Sequence, residues 1–123
     1  MEKTIALETA PCLPGCPVAR TAGLIDGKWT TLIVRELLGG TKRFGELQRG
    51  LGEISPKILT ERLKLLEGAG LVTKTVYPSV PPKTEYQLTD LGLGLRGVIL
   101  AMADFGVRLA QAETEGAAAA TPR

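Results

Sequence analysis

Hydrophobic positions recur along this chain with two different periods, and the changes of period divide it into elements. In residues 55–68, Leu59, Leu63 and Leu66 fall at i, i+4 and i+7, the stripe by which one face of an α-helix enters a core. Ser55 is a good N-cap and Pro56 suits the first helical position, where its missing N–H costs nothing, so this helix starts at Ser55. Phe44, Leu47 and Leu51, at i, i+3 and i+7, predict a shorter helix before it, joined through a tight glycine-bearing turn. Upstream, a helix from Pro17 carries Val18, Ala22 and Ile25 on one face and stops near Gly27. The next opens at Trp29, with Trp29, Leu32, Ile33 and Leu37 as its buried stripe and Gly39 and Gly40 as its end.

After Gly68-Ala69-Gly70 the period drops to 2. Val72, Lys74 and Val76 alternate with Thr73, Thr75 and Tyr77, and after five residues containing Pro78, Pro81 and Pro82 the alternation resumes with Thr84, Tyr86 and Leu88 on one side. This predicts a β-hairpin with a stiff tip. Thr89 caps a last helix whose stripe runs Leu91, Leu95, Val98, Met102, Phe105 and Leu109. That stripe is longer than one small globule needs, and Ile99, Leu100 and Val107 widen it, which predicts burial against a second copy of the chain. The expected organisation is a loose arm over 1–15, one folded domain over 16–112 and a small-residue, disordered tail over 113–123. The fold class is mainly α with a small β-hairpin.

Polar positions then narrow the function. Opposite the leucine stripe, Lys57, Thr60, Glu61 and Lys64 project from the helix that follows Ser55. Two short helices joined by a tight turn, the second presenting Ser, Lys and Thr at its start, suit a helix-turn-helix docking into the DNA major groove. An ordinary solvated helix face has the same charge pattern. The hairpin that follows decides between them, because a hairpin directly after such a helix is the wing of a winged helix, able to bring Lys74 and Lys83 near a sugar-phosphate backbone. Net charge is only +2, yet residues 35–64 hold seven cations against four anions, so the positive excess is local. The five aromatic residues are too few for a single-strand stacking platform. With 123 residues, no signal-peptide order and no apolar run of membrane-spanning length, the expectation is one cytoplasmic domain with no membrane partner.

Several blocks together carry a resemblance. CPV at 16–18, GKWT at 27–30, RFGEL at 43–47, ISPKILTERLKLLEGAGLV at 54–72 and YPSVPPKTEYQLTDLG at 77–92 resemble the HxlR-type transcription regulators, winged helix proteins related to the MarR group. The resemblance spans residues 16–105, its long central block being far more specific than any short motif. It implies a homodimer formed by N- and C-terminal helices, recognition helices in successive major grooves of a double-stranded operator, and control of a nearby gene, often one that handles reactive carbonyls, quinones or other stress compounds. Two departures stand out: Leu65 is apolar where the family usually has a charge, and Gly94 and Gly97 weaken the last helix by about 1 kcal/mol each relative to Ala.

Cys16 matches the family's N-terminal cysteine, which in some relatives senses oxidants or electrophiles. It precedes Pro17 at a helix start, where the positive dipole end favours thiolate. The alternative is a small hydrophobe packed at the dimer seam. Cys12 is too far along for a CxxC motif, and a disulfide with Cys16 requires the α-carbons within about 7 Å. With no histidine and two thiols, no metal site is expected within one chain, while one shared across a dimer stays open. Gly92-Leu93-Gly94-Leu95-Arg96-Gly97 spells GxGxxG after a strand, but no second parallel strand follows to complete a dinucleotide fold, so no cofactor is expected. Without a histidine base or a concave acid/base pair the chain is read as no enzyme.

The resulting expectation is a sequence-specific regulator, a repressor, acting as a homodimer on a palindromic operator. Ser55, Lys57 and Thr60 are expected at base edges, and Lys42, Arg43, Lys64 and Lys83 on phosphates, with Arg49 and Arg62 weaker candidates. A small-molecule or electrophile effector fits the resemblance. The alternative is a winged helix protein-interaction module without specific DNA binding.

Overall fold

The computed structural model describes residues 15–119. The elements are α1 (Pro17–Leu24), α2 (Lys28–Leu37), β1 (Lys42–Arg43), α3 (Phe44–Leu51), α4 (Pro56–Gly68), β2 (Val72–Tyr77), β3 (Lys83–Leu88), α5 (Asp90–Leu93) and α6 (Arg96–Ala119). Apart from Gly15, the expected N-terminal arm with Cys12 lies outside the described residues.

The start and stop of α4 are written locally. Ser55 Oγ accepts the Ile58 N–H at 3.1 Å, and Pro56 follows at the first helical position. At the other end the Leu71 N–H donates to the Leu66 carbonyl and the Gly70 N–H to the Glu67 carbonyl, both at 3.0 Å. This pair of bonds is a Schellman closure, and it requires the left-handed φ of +79° that Gly70 supplies. Leu66 and Leu71, which the closure brings together, are both buried. Gly52, with φ of +76°, ends α3 and makes the turn into α4.

One core joins these elements. Ile33, Val34 and Leu37 from α2 meet Leu47 of α3, Leu59, Leu63 and Leu66 of α4, and Val72, Tyr86 and Leu88 of the sheet. The α2 stripe is rotated slightly from expectation: Thr30 and Val34 are buried, while Trp29 and Leu32 are half-buried flanks. The Lys28 ammonium covers the Trp29 ring at 4.5 Å, a cation–π contact that leaves this side of the indole toward solvent.

The sheet has three antiparallel strands in the order β1-β3-β2. The hairpin lies where the alternation places it, with Val72 opposite Leu88 and Tyr77 opposite Lys83. The added strand is β1, which pairs Lys42 with Tyr86 and Arg43 with Glu85. Two residues carry no readable period, so this strand exists only through its partner. Along β2 only Val72 is buried, and the rest of the strand extends away from the core as an exposed ribbon.

The C-terminal helix departs most from expectation. Thr89 is the cap: its Oγ1 accepts the Gly92 N–H at 3.0 Å and donates to the Gly70 carbonyl at 2.7 Å. The helix breaks after one turn, at Gly94, so Leu91 faces solvent and only Leu95, Ile99 and half-buried Val98 pack on the core. Beyond Ile99, α6 continues with Met102, Phe105, Val107 and Leu109 exposed. It stays helical to Ala119, through residues that composition assigns to the tail; alanine is the strongest helix former and sustains the last turns. The first glycine of the GxGxxG string has a packing use. A β-carbon on Gly92 would collide with the Leu71 carbonyl oxygen, so glycine is what lets α5 sit against the end of α4.

Tyr86 is the buried aromatic on the central strand, and burial, followed by the nearby Glu67 carboxylate, raises its phenol above the ordinary value of 10.0. The folded state therefore holds this proton more tightly than the unfolded chain does. Its contribution to stability is complete below about pH 10 and is lost as pH rises through the folded value. We expect Tyr86→Phe to remove that loss. In chemical denaturation between about pH 9 and pH 11 the parent midpoint should fall more steeply than that of the variant; parallel curves would contradict the assignment.

Candidate nucleic-acid interface

The interface is built outward from α4. With Leu59, Leu63 and Leu66 sealed inward, a helix of 3.6 residues per turn places Lys57, Glu61 and Lys64 opposite, Thr60 to one side and Leu65 to the other. All five are exposed. Ser55 is exposed at the same end, and with its oxygen accepting the Ile58 N–H, its hydroxyl proton and a second lone pair remain to offer a ligand. Ser55, Lys57, Thr60 and Lys64 are thus gathered on one element. Arg62 is not among them: it is half-buried, and its guanidinium lies over Gly27 at the turn between α1 and α2, 3.4 Å from where a β-carbon there would stand.

The sheet supplies the second group. Residues directly opposite in an antiparallel ladder share a face, so Lys42, Tyr86 and Lys74 form one row and Arg43, Glu85 and Thr75 the next, on the other face. Lys42 therefore leaves the sheet on the side where Tyr86 is buried and is itself half-buried, whereas Arg43 is exposed on the outer face. Lys83, opposite Tyr77 where the hairpin ends, is exposed on that same outer face. These adjacent cations, read in sequence as a pair, diverge once β1 forms.

Electrostatics on the outer face are mixed. The Tyr77 hydroxyl donates to Glu85 Oε1 at 3.1 Å, and this bond, with the carboxylate's charge, raises the phenol above 10.0. Glu85 thus tempers the field of Arg43 and Lys83 and braces the ribbon across its width. At the start of α3, Glu46 Oε1 accepts the Arg43 N–H at 2.7 Å. A carboxylate therefore already compensates the helix dipole beside Lys42 and Arg43, where the charge pattern alone calls for a phosphate. The signal was present in sequence as a glutamate three residues into the helix.

Cys16 stands apart from both groups. It is the N-cap residue of α1, half-buried, and its carbonyl accepts the Arg20 N–H at 2.9 Å. The apolar side of α1, with Val18, Ala22 and Ile25, lines a shallow groove, and a second groove follows Val98, Met102 and Phe105 along α6. Among the described residues no helix is long and apolar enough to cross a membrane.

Comparison with known proteins places this arrangement. Residues 24–114 match the model of the HxlR-like helix-turn-helix family. The HTH-type transcriptional regulator YdeP of Bacillus subtilis is 44% identical over 92 residues, which cover 75% of this chain and 72% of that protein. A Porphyromonas gingivalis structure assigned to the MarR family of transcriptional regulators superposes with a TM-score of 0.75 at 39% identity, covering 85% of this chain and 97% of the other. The redox regulator HypR in its reduced form gives a TM-score of 0.75 at 36% identity over 80% of this chain and 98% of that one. Reduced YodB of B. subtilis gives 0.63 at 34% identity over 87% and 98%.

Proposed function

The chain belongs to the HxlR-like helix-turn-helix family of transcriptional regulators, and on that premise we propose that it acts in the cytoplasm as a homodimeric repressor on a roughly palindromic operator. DNA binding itself follows from the helix-turn-helix fold. The observation that carries the finer reading is the two-sidedness of α4, whose leucines are sealed in the core while Lys57, Thr60 and Lys64 stand exposed beside Ser55.

In this reading α4 enters the major groove with Ser55, Lys57 and Thr60 at base edges, and Lys42, Arg43, Lys64 and Lys83 neutralise phosphates. Two copies joined through the exposed apolar faces of α1 and α6 set the recognition helices about one DNA turn, ~34 Å, apart. Covering Met102, Phe105 and Leu109 in this way removes a surface that water disfavours.

If a dimer neutralises eight phosphates, log K against log salt has a slope of about −7. Fluorescence anisotropy of the full chain on DNA from upstream of its own gene measures this directly. Arg43→Ala or Lys83→Ala should weaken binding to all sequences alike and make the slope shallower by about 2 per dimer, one for each copy. A slope near zero, or no preference for any upstream DNA, would contradict the reading and favour a protein-interaction module.

The relatives HypR and YodB include forms described as oxidised, reduced and diamide-treated. By extension we assign the response to an oxidant or electrophile to Cys16, at the start of a helix that the proposed dimer uses. Diamide should change operator affinity of the parent and leave Cys16→Ser unaffected. Equal loss of operator by both proteins would exclude Cys16 as the sensor.

A further inference from the structure

On the outward face of α4 two residues fit neither phosphate binding nor the core: Glu61, at its centre, and Leu65, one turn further on. Glu61 is an anion on a surface meant for a polyanion. Among the described residues its carboxylate closes no ion pair, although Lys57 and Lys64 stand at i−4 and i+3, so helix stabilisation by paired charges does not account for it. An unpaired carboxylate there repels the phosphates of every sequence equally. The interaction that offsets this repulsion in the major groove is with the one base edge that offers only a donor, the cytosine N4 amino group. Leu65 is 63% exposed. Its one apolar counterpart in the groove is the thymine methyl, and that contact would bury leucine surface on binding.

We infer that Glu61 and Leu65 add to the sequence preference carried by Ser55, Lys57 and Thr60, Glu61 by accepting a hydrogen bond from a cytosine amino group and Leu65 by packing on a thymine methyl. The inference rests on the DNA-binding reading above. Residues at i and i+4 lie about 5–6 Å apart along a helix and base pairs stack about 3.4 Å apart. The cytosine and the thymine therefore fall about two base pairs from each other in each half-site. Lys64, at i+3 from Glu61, holds the helix on the backbone while Glu61 discriminates.

The test is selection of binding sites from a random pool of duplexes by the full chain and by Glu61→Ala, Glu61→Gln and Leu65→Ala. Both positions are exposed, so the three variants should melt with the parent. The parent should enrich a half-site with cytosine and thymine about two positions apart. Glu61→Ala should keep the rest of that motif and lose about tenfold of its cytosine discrimination, and Glu61→Gln should move the preference there toward adenine, which a side-chain amide reads. Replacing the thymine by uracil, which removes only the methyl, should weaken the parent and leave Leu65→Ala unchanged. Variants that keep the parent motif letter for letter, with Glu61→Ala simply binding all sequences more tightly, would overturn the inference while leaving DNA binding intact. A parent that enriches no motif would overturn both, which separates the two failures.

Discussion

Burial of Leu59, Leu63 and Leu66 fixes the rotation of α4 about its own axis, and the rest of the interface depends on that rotation. A turn of one residue, about 100°, would bring Thr60, Lys64 and Glu67 toward the core, where an unpaired charge is strongly disfavoured. The same burial thus determines which polar groups reach a ligand. Ser55 and Gly70 set the ends of the helix, so its register along the axis is fixed as well as its rotation.

A second junction connects this helix to everything downstream. Leu71 accepts the Thr89 N–H at 2.9 Å, Thr89 donates to the Gly70 carbonyl, and Gly92 packs on the Leu71 carbonyl. The end of α4, the base of the hairpin and the start of α5 therefore meet at one point. This joins the proposed DNA-reading helix to the strand ribbon on one side and, through α5, to the exposed α6 on the other. It gives a change along α6 a short mechanical route to α4.

Legibility in the sequence followed the range of the interactions. The cap, the proline and the leucine stripe of α4 are all within thirteen residues, and each could be read directly. The hairpin was equally readable because its alternation and proline-rich tip are local. Strand β1 was not, since Lys42 and Arg43 become a strand only by pairing with residues more than forty positions away. That pairing sends the two side chains to opposite faces, which the linear order hid. Arg62 likewise looks like a free cation until the fold brings Gly27 beneath its guanidinium. The weakness at Gly94 was visible as composition, but the break it makes, and the consequent exposure of Leu91, depended on Gly92 being drawn against Leu71.

The most direct measurement is an amide NMR titration of the full chain with a duplex from upstream of its gene at low salt. Shifts concentrated in residues 55–65 and along the hairpin, with the outer turns of α6 little changed, are expected if α4 and the ribbon form the DNA surface. Shifts centred on α1 and α6 with α4 unmoved would place the ligand on the wrong side of the molecule and contradict the central claim.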